Sequence, residues 1–324
     1  MSEPRRTADG RPVLWAPHPG PQSAFLSSTA YEALYGGQAG GDKSDALLYG
    51  ALRRVHHPRY RALILRRTFP ELRELMDRAL TTFGQTRGRW TEQSKRWTWP
   101  SGATVEFGYC ATFADALQYQ GQEFTFIGFD ELGQIQEERV WTYLMSRCRQ
   151  SAPDLVLQMR ASANPGGPGH AWIKARFVDR CPVPGAVVDC DGTTRAYFPA
   201  GLADNPTLLA NDPGYAVRLK QLPELEYRWL AMGDWEAGGG VAFPELAKRE
   251  RYLVAPFRVP AHWFVWGGFD WGYNHPWSFG VYAADEDGNA YCLDTATGRQ
   301  MQPPAMAERM HETMRKAGVE RRVK

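Results

Sequence analysis

The stretch that most constrains this chain is a run of glycines set between an apolar segment and a helix-forming one. Ala33-Leu34-Tyr35 leads into Gly36-Gly37-Gln38-Ala39-Gly40-Gly41, then Asp42-Lys43-Ser44, then Asp45 to Leu52. A strand, a turn and a helix in that order let consecutive backbone N–H groups converge on an anion, and the helix N-terminus adds the positive end of its dipole. Gly37, Gly40, Gly41 and Asp42 would form the cradle, Lys43 would reach the β- and γ-oxygens of a nucleotide, and Ser44 would hold Mg²⁺. One position departs from the pattern G-x-x-x-x-G-K-[ST]: counted from Gly37, Asp42 stands where the last glycine belongs. A carboxylate repels a polyphosphate, and a side chain there strains the turn. Two readings stay open, weakened nucleotide binding or a loop that turns Asp42 outward.

Two later segments extend the pattern. Phe124-Thr125-Phe126-Ile127-Gly128-Phe129 reads as a buried central strand, and it ends in Asp130-Glu131. There Asp130 would hold Mg²⁺ through water and Glu131 would polarise a water for hydrolysis. Leu155 to Ala161 reads as a third strand, running into the kinked loop Ser162 to His170. Ligands of open α/β sheets bind beyond the carboxyl ends of strands, which places Asn164 to sense a γ-phosphate. Taken singly, each segment is also a plain strand end or a Pro/Gly turn; their succession carries the argument.

With 324 residues, 43% of them hydrophobic, the chain can bury a core and divide into two units. No run of about 18 apolar residues is present, and Met1 to Pro12 is polar and basic, so the sequence predicts a cytosolic protein without a membrane span. Five scattered cysteines, Cys110, Cys148, Cys181, Cys190 and Cys292, show no zinc-ligand spacing and read as reduced core residues. A net charge of +2 does not by itself point to nucleic acid, yet the basic residues cluster. One cluster is Arg53-Arg54 with His56, His57, Arg59 and Arg61; another spans Arg87 to Trp90 and Lys95 to Trp97. The second leads a predicted hairpin, Arg96 to Trp99 turning at Pro100-Ser101-Gly102 into Thr104 to Gly108. Such a hairpin can touch a phosphate backbone without reading bases, although its tryptophans are more often core than contact.

In this order the motifs resemble the large terminase subunits of tailed phages. The resemblance includes Pro21-Gln22, Tyr31 to Gly37, Ile64 to Leu72, Gly121-Gln122-Glu123-Phe124 before the acid pair, Gly233-Asp234-Trp235, and Phe269-Asp270-Trp271-Gly272. It covers nearly the whole chain from about Pro17. It implies an α/β fold: a P-loop NTPase domain with a central, mostly parallel sheet, followed by a partial RNase H-like nuclease domain. It implies an ATP-driven motor that threads double-stranded DNA into a procapsid through the portal protein, working with the small terminase subunit in the host cytoplasm. The motor would be a homo-oligomeric ring on the portal, with a monomer in isolation left open. By this resemblance Gln22 lies near the adenine, Lys43 and Ser44 on phosphate and Mg²⁺, Asp130 and Glu131 at the hydrolysis centre and Asn164 in the coupling motif. The arginine that many members carry in the phosphate loop is absent, since Gln38 and Ala39 occupy that stretch. Arg147 and Arg149 are then candidates for a finger offered to a neighbouring subunit, beside their reading as solvated charges at a helix end.

The expected division is an ATPase domain over residues 1–235, with a lid subdomain over about 195–235, a hinge over 236–262 and nuclease-like strands over 263–324. Arg218 to Trp235 reads as helical and broken at Pro223. Glu236 to Gly240 reads as a hinge or a passive linker. Val265 to Asp270 would supply one metal-binding acid, Asp270, for Mg²⁺ or Mn²⁺. Ser278 to Ala283 and Ala290 to Asp294 would form a hairpin about Asp285 to Gly288, with Asp294 an ordinary strand-end acid. Pro304 to Ala317 reads as a helix and Val319 to Lys324 as the start of a strand, before which a family nuclease site is incomplete; little or no cutting by this polypeptide is expected. Two other functions fit parts of the pattern, a helicase-like ATPase and a nucleotide-binding assembly module whose hydrolysis Asp42 impairs.

Overall fold

Strands buried at every position need cover on both faces. The chain has several. A computed structural model describes residue 13 and residues 15–150, 154–238, 252–273 and 275–323; they fall in two units, within 1–244 and 245–324. In chain order the first unit holds α1 (Pro21–Ser27), β1 (Glu32–Gly37), α2 (Lys43–Leu52), β2 (Arg61–Arg66), α3 (Phe69–Phe83), β3 (Arg89–Thr91), β4 (Arg96–Thr98), β5 (Thr104–Tyr109) and α4 (Phe113–Ala116). It continues with β6 (Phe126–Phe129), α5 (Glu138–Met145), β7 (Gln158–Ala163), α6 (His170–Ile173), β8 (Val188–Cys190), β9 (Thr193–Ala200), α7 (Pro206–Asn211), α8 (Tyr215–Leu219) and α9 (Glu224–Leu230).

Among the described residues nine strands make one sheet in the order β3-β4-β5-β2-β6-β7-β1-β9-β8. The six from β5 to β9 run parallel, and the short strands at the two ends pair antiparallel. β1, β6 and β7 are buried at every residue. Alternation along β2 sends Ile64 to one face, with Leu48 of α2 and Leu72, Leu75, Met76 and Phe83 of α3. It sends Leu63 and Leu65 to the other, with Trp141 and Leu144 of α5 and Phe177. A fully buried side chain of this size contributes about 1.5–3 kcal/mol, so these two layers hold the sheet. Trp97 and Trp99 of the basic hairpin sit in the first layer, so they are core.

Three boundaries differ from expectation. The third strand begins at Gln158 and runs through to Ala163, since Leu155 turns into the layer beneath α3 instead of joining the ladder. Residues 195–200, expected in the lid, are the body of β9 and pair with β1. The helical stretch before Trp235 breaks at Pro223, the N-cap of α9, as expected, but it begins earlier, with α8 at Tyr215, and α9 ends at Leu230. Gly239 and Gly240 of the expected hinge, and Met1 to Pro12, lie outside the described residues.

The second unit is an antiparallel meander, β10 (Phe264–Asp270), β11 (Trp277–Ala284) and β12 (Ala290–Gly298), with α10 (Pro303–Lys316) against β11 and β12. Its core gathers Val265, Trp277, Phe279, Val281, Ala283, Met306 and Val319. The expected hairpin is present and longer, its turn tied by Asp285, whose carboxylate accepts from the N–H groups of Asp287 and Asn289. The strand expected from Val319 is instead a turn closed by Arg322 N–H on the Val319 carbonyl. Arg322 also donates to the carbonyls of Val259, Pro260 and Trp263, which pins this segment against the lead-in to β10. Among the described residues no helix is long and apolar enough to cross a membrane.

Candidate active site

The parallel core brings the carboxyl ends of β1, β2, β6 and β7 to one edge of the sheet. The loop after β1 opens there. Its first two N–H groups are taken: Gln38 donates to the Ala200 carbonyl at 2.8 Å and Ala39 to Leu230 at 2.7 Å. Among the described residues no acceptor takes the N–H groups of Gly40, Gly41 or Asp42, which lie just ahead of the ten-residue helix α2. Free donors at a helix N-terminus make an anion cradle. Asp42 sits at φ 55°, ψ 41° as the N-cap of α2, a left-handed conformation that Asp tolerates better than most residues. Its carboxylate accepts from Gln22 Nε2 at 3.0 Å and lies 3.9 Å from His18 Nε2.

Lys43 Nζ donates to the Gln38 carbonyl at 2.5 Å, so the ammonium folds back over the loop that precedes it. Part of the residue is exposed but its ammonium is enclosed, and burial pulls its pKa down to about 8 against the opposing charges of Asp130, Glu131 and Asp42. Burial, with Asp42 beside it, pushes the Asp45 carboxyl up to about 6. With a pKa of about 8, Lys43 still carries its proton at pH 7, and an incoming anion would raise the value again.

Ser44 Oγ, in the first turn of α2, donates to both Asp130 oxygens, at 3.1 and 3.0 Å. Asp130 follows β6, is 0% exposed, and also accepts from Ser162 Oγ at 2.6 Å and Arg66 Nε at 2.9 Å. Arg66 ends β2, directly beside β6, and its Nη2 reaches Glu131 at 3.0 Å. Glu131 is at φ 55° and its N–H donates to Ser162 Oγ. Partial burial, together with neighbouring Asp130, holds the Glu131 carboxyl above its usual range while Arg66 opposes the shift. The result is one buried carboxylate and one half-exposed carboxylate bridged by a single guanidinium. A serine hydroxyl and a buried carboxylate side by side are hard oxygen donors, the chemistry that Mg²⁺ prefers.

Asn164 follows β7 on the same edge, and its Oδ1 is buried without a hydrogen-bond partner among the described residues. Behind it the loop is locked. Gly166 has φ +86°, and a Cβ there would lie 2.7 Å from the Trp229 ring of α9. His170 Nδ1 accepts from the Gly166 N–H at 2.8 Å, which leaves the Nε2 proton to be donated to the Trp235 carbonyl at 2.9 Å. Gly233 has φ +66° and abuts Gln38 N and Gly37, so the 233–235 turn closes directly on the glycine loop. Residues 202–238 therefore cover that loop: Leu202 N–H donates to Gln38 Oε1 and Asn205 Nδ2 to the Gly40 carbonyl, both at 2.8 Å.

Known proteins share this fold. The model for the terminase large subunit family, T4likevirus-type, N-terminal, matches residues 34–247. The chain belongs to the terminase large subunit family. Among solved structures, the large terminase of a thermophilic bacteriophage in complex with ADP is similar at 16% identity and a TM-score of 0.53, over 94% of this chain and 75% of that one. The same phage's terminase in complex with ATP-γ-S gives 15% identity, 95% and 76% coverage and a TM-score of 0.53. The large terminase of bacteriophage HK97 gives 13% identity, 96% and 68% coverage and a TM-score of 0.48. No curated protein matches. At these identities the structural likeness is one of fold, and the mixed α/β architecture with its mostly parallel sheet is the terminase one.

In this terminase large subunit the sequence candidates do not all meet. Gln22, Gly37 through Ser44, Asp130, Glu131 and Asn164 share the carboxyl edge. Arg147 and Arg149 do not: Arg147 O accepts from Phe124 N–H and Arg149 N–H donates to Phe124 O, at the amino end of the segment that leads into β6. Within one chain they stand at the opposite edge of the sheet from Asp130. Arg149 there lines a cleft of about 270 Å³ with Arg59, Arg61, Arg96, Glu106 and Glu123. Asp270 ends β10 in the second unit, exposed at a cavity of about 410 Å³ lined by Ser278, Thr295 and Thr297; Asp294 does not line it. Among the described residues no three metal-ligating side chains come together. Sequence reasoning missed Arg66, Ser162 and His170. Arg66 had a signal, since it closes an apolar strand as Asp130 does; the other two had none apart from their place in the 162–170 loop.

Proposed function

We propose that the chain hydrolyses ATP, and that this drives the packaging of double-stranded viral DNA. One observation carries the reading: in a terminase large subunit, Ser44 of a glycine loop meets the buried carboxylate of Asp130 at 3.0–3.1 Å, beside the unpaired N–H groups of Gly40 to Asp42. The triphosphate would lie in that cradle, with Lys43 released from the Gln38 carbonyl to meet it. Ser44 and Asp130 would hold Mg²⁺, which when bound neutralises charge on the phosphates. Glu131, whose carboxyl burial holds above its usual range, would accept a proton from the attacking water, and Arg66 would keep both acids oriented. Asn164, with an unpartnered Oδ1, would sense the γ-phosphate, and the 164–170 loop would pass the change through His170 to Trp235.

Residues 1–235 are read as the ATPase domain with its lid, 236–262 as a connector, and 263–324 as part of an RNase H-like nuclease fold in which Asp270 would be one metal-binding acid. The partners follow from the family: the portal of a procapsid, the small terminase subunit and further copies in a ring. The basic amino edge of the sheet offers a surface for DNA phosphates. The test is ATP hydrolysis by the purified chain with Mg²⁺, with and without linear double-stranded DNA and procapsids. Turnover that falls at least a hundredfold in Glu131→Gln while nucleotide binding persists is the expected result. Nucleotide binding without turnover in the parent chain would favour an assembly module.

A further inference from the structure

The aspartate at the loop's glycine position and the residue implied to read the base are joined to each other. Gln22 is 1% exposed, and its amide is engaged at both ends. Oε1 accepts from the His18 N–H at 2.6 Å, and Nε2 donates to the Asp42 carbonyl at 3.2 Å and to Asp42 Oδ2 at 3.0 Å. A side-chain amide recognises adenine by offering its oxygen and nitrogen together to N6–H and N7. Here both atoms face protein. Withdrawing them would leave the Asp42 carboxylate with neither that donor nor a full counter-charge, next to Asp45 in a loop built to receive an anion. The same bonds account for an aspartate at a glycine position: Asp tolerates φ 55°, and Gln22 ties down both its carbonyl and its carboxylate.

We propose that Gln22 is a positioning residue for the phosphate loop, acting through Asp42, and that the site takes nucleoside triphosphates by their phosphates with little discrimination between adenine and guanine. The proposal rests on the nucleotide-site reading above and specifies its substrate class. A base bound there stacks or packs without a hydrogen bond from Gln22, so affinity is set by the cradle.

The experiment displaces a fluorescent triphosphate analogue from the full chain with ATP and with GTP, in the parent and in Gln22→Ala, Asp42→Asn and Asp42→Ala. ATP and GTP should bind the parent within about threefold of each other, whereas a good bidentate amide–base pair discriminates by roughly five- to 150-fold. Gln22→Ala should weaken both nucleotides by the same factor. Asp42→Asn keeps an acceptor for Gln22 and tolerates the left-handed backbone, so it should bind both at least as well as the parent; Asp42→Ala should weaken both. A preference of the parent for ATP of about tenfold or more, abolished in Gln22→Ala, overturns the proposal and leaves the nucleotide-site reading intact. Binding of neither nucleotide by the parent overturns both.

Discussion

Lys43 should make the proposed nucleotide site sensitive to pH in a direction that its enclosure dictates. In the empty loop its pKa is drawn down to about 8, chiefly by burial. A bound triphosphate places negative charge against the ammonium and returns its pKa to at least the ordinary lysine value of about 10.4. The bound state then holds more protons than the free state, so raising the pH weakens binding. Taking those two values, affinity should be within about 10% of its plateau near pH 7, about twofold lower at pH 8 and about tenfold lower at pH 9. Asp45, pushed up to about 6, titrates below this window, and Glu131 is replaced in the chain that is assayed. The assay is calorimetric titration of the Glu131→Gln chain with ATP across that range, in two buffers of different ionisation heat, so that proton uptake is read directly. Lys43→Arg is the control: guanidinium keeps its charge, and its profile should be flat whatever its absolute affinity. A flat profile in the parent, or an equal fall in Lys43→Arg, would refute the reasoning.

Further outcomes follow from the same contacts. Arg66→Ala strips Asp130, which is 0% exposed, and Glu131 of their shared cation; breaking a buried pair costs about 3–5 kcal/mol. Urea unfolding should show that loss, and adding Asp130→Asn should recover part of it; additive losses would mean the pair is not coupled. Gly166→Ala introduces a Cβ at φ +86° and 2.7 Å from Trp229, a strain of about 1–3 kcal/mol. The melting temperature should fall, and Trp229→Ala should not restore it, because the backbone strain remains. Reversing the charge of Arg61 and Arg149 together, in the amino-edge cleft, should weaken binding of double-stranded DNA. The slope of log affinity against log salt should then become shallower by about 0.9 for each phosphate that is no longer neutralised. An unchanged slope places the DNA elsewhere.

What was legible in the sequence was local. The glycine loop from Gly37 to Ser44 announces itself because a strand, a turn and a helix start occupy adjacent positions, and Asp130-Glu131 because four buried residues stop at two acids. The breaks at Pro223 and at the Asp285 turn are likewise written in the residues that make them. The fold class was what the resemblance to large terminase subunits implied, and strands buried at every position and separated by helices agree with it, because they need a sheet covered on both faces. What the tertiary structure alone decided is which strand ends become neighbours. With β2 beside β6 and β7 between β6 and β1, Arg66 and Ser162 land on Asp130 from positions 64 residues before it and 32 after it. The same holds for Gln22, whose amide meets Asp42 across 20 residues, and for His170, whose partner is Trp235. No spacing rule encodes these contacts. They arise because a buried carboxylate or amide must find its donors wherever packing brings them, and that order of packing is a property of the whole sheet.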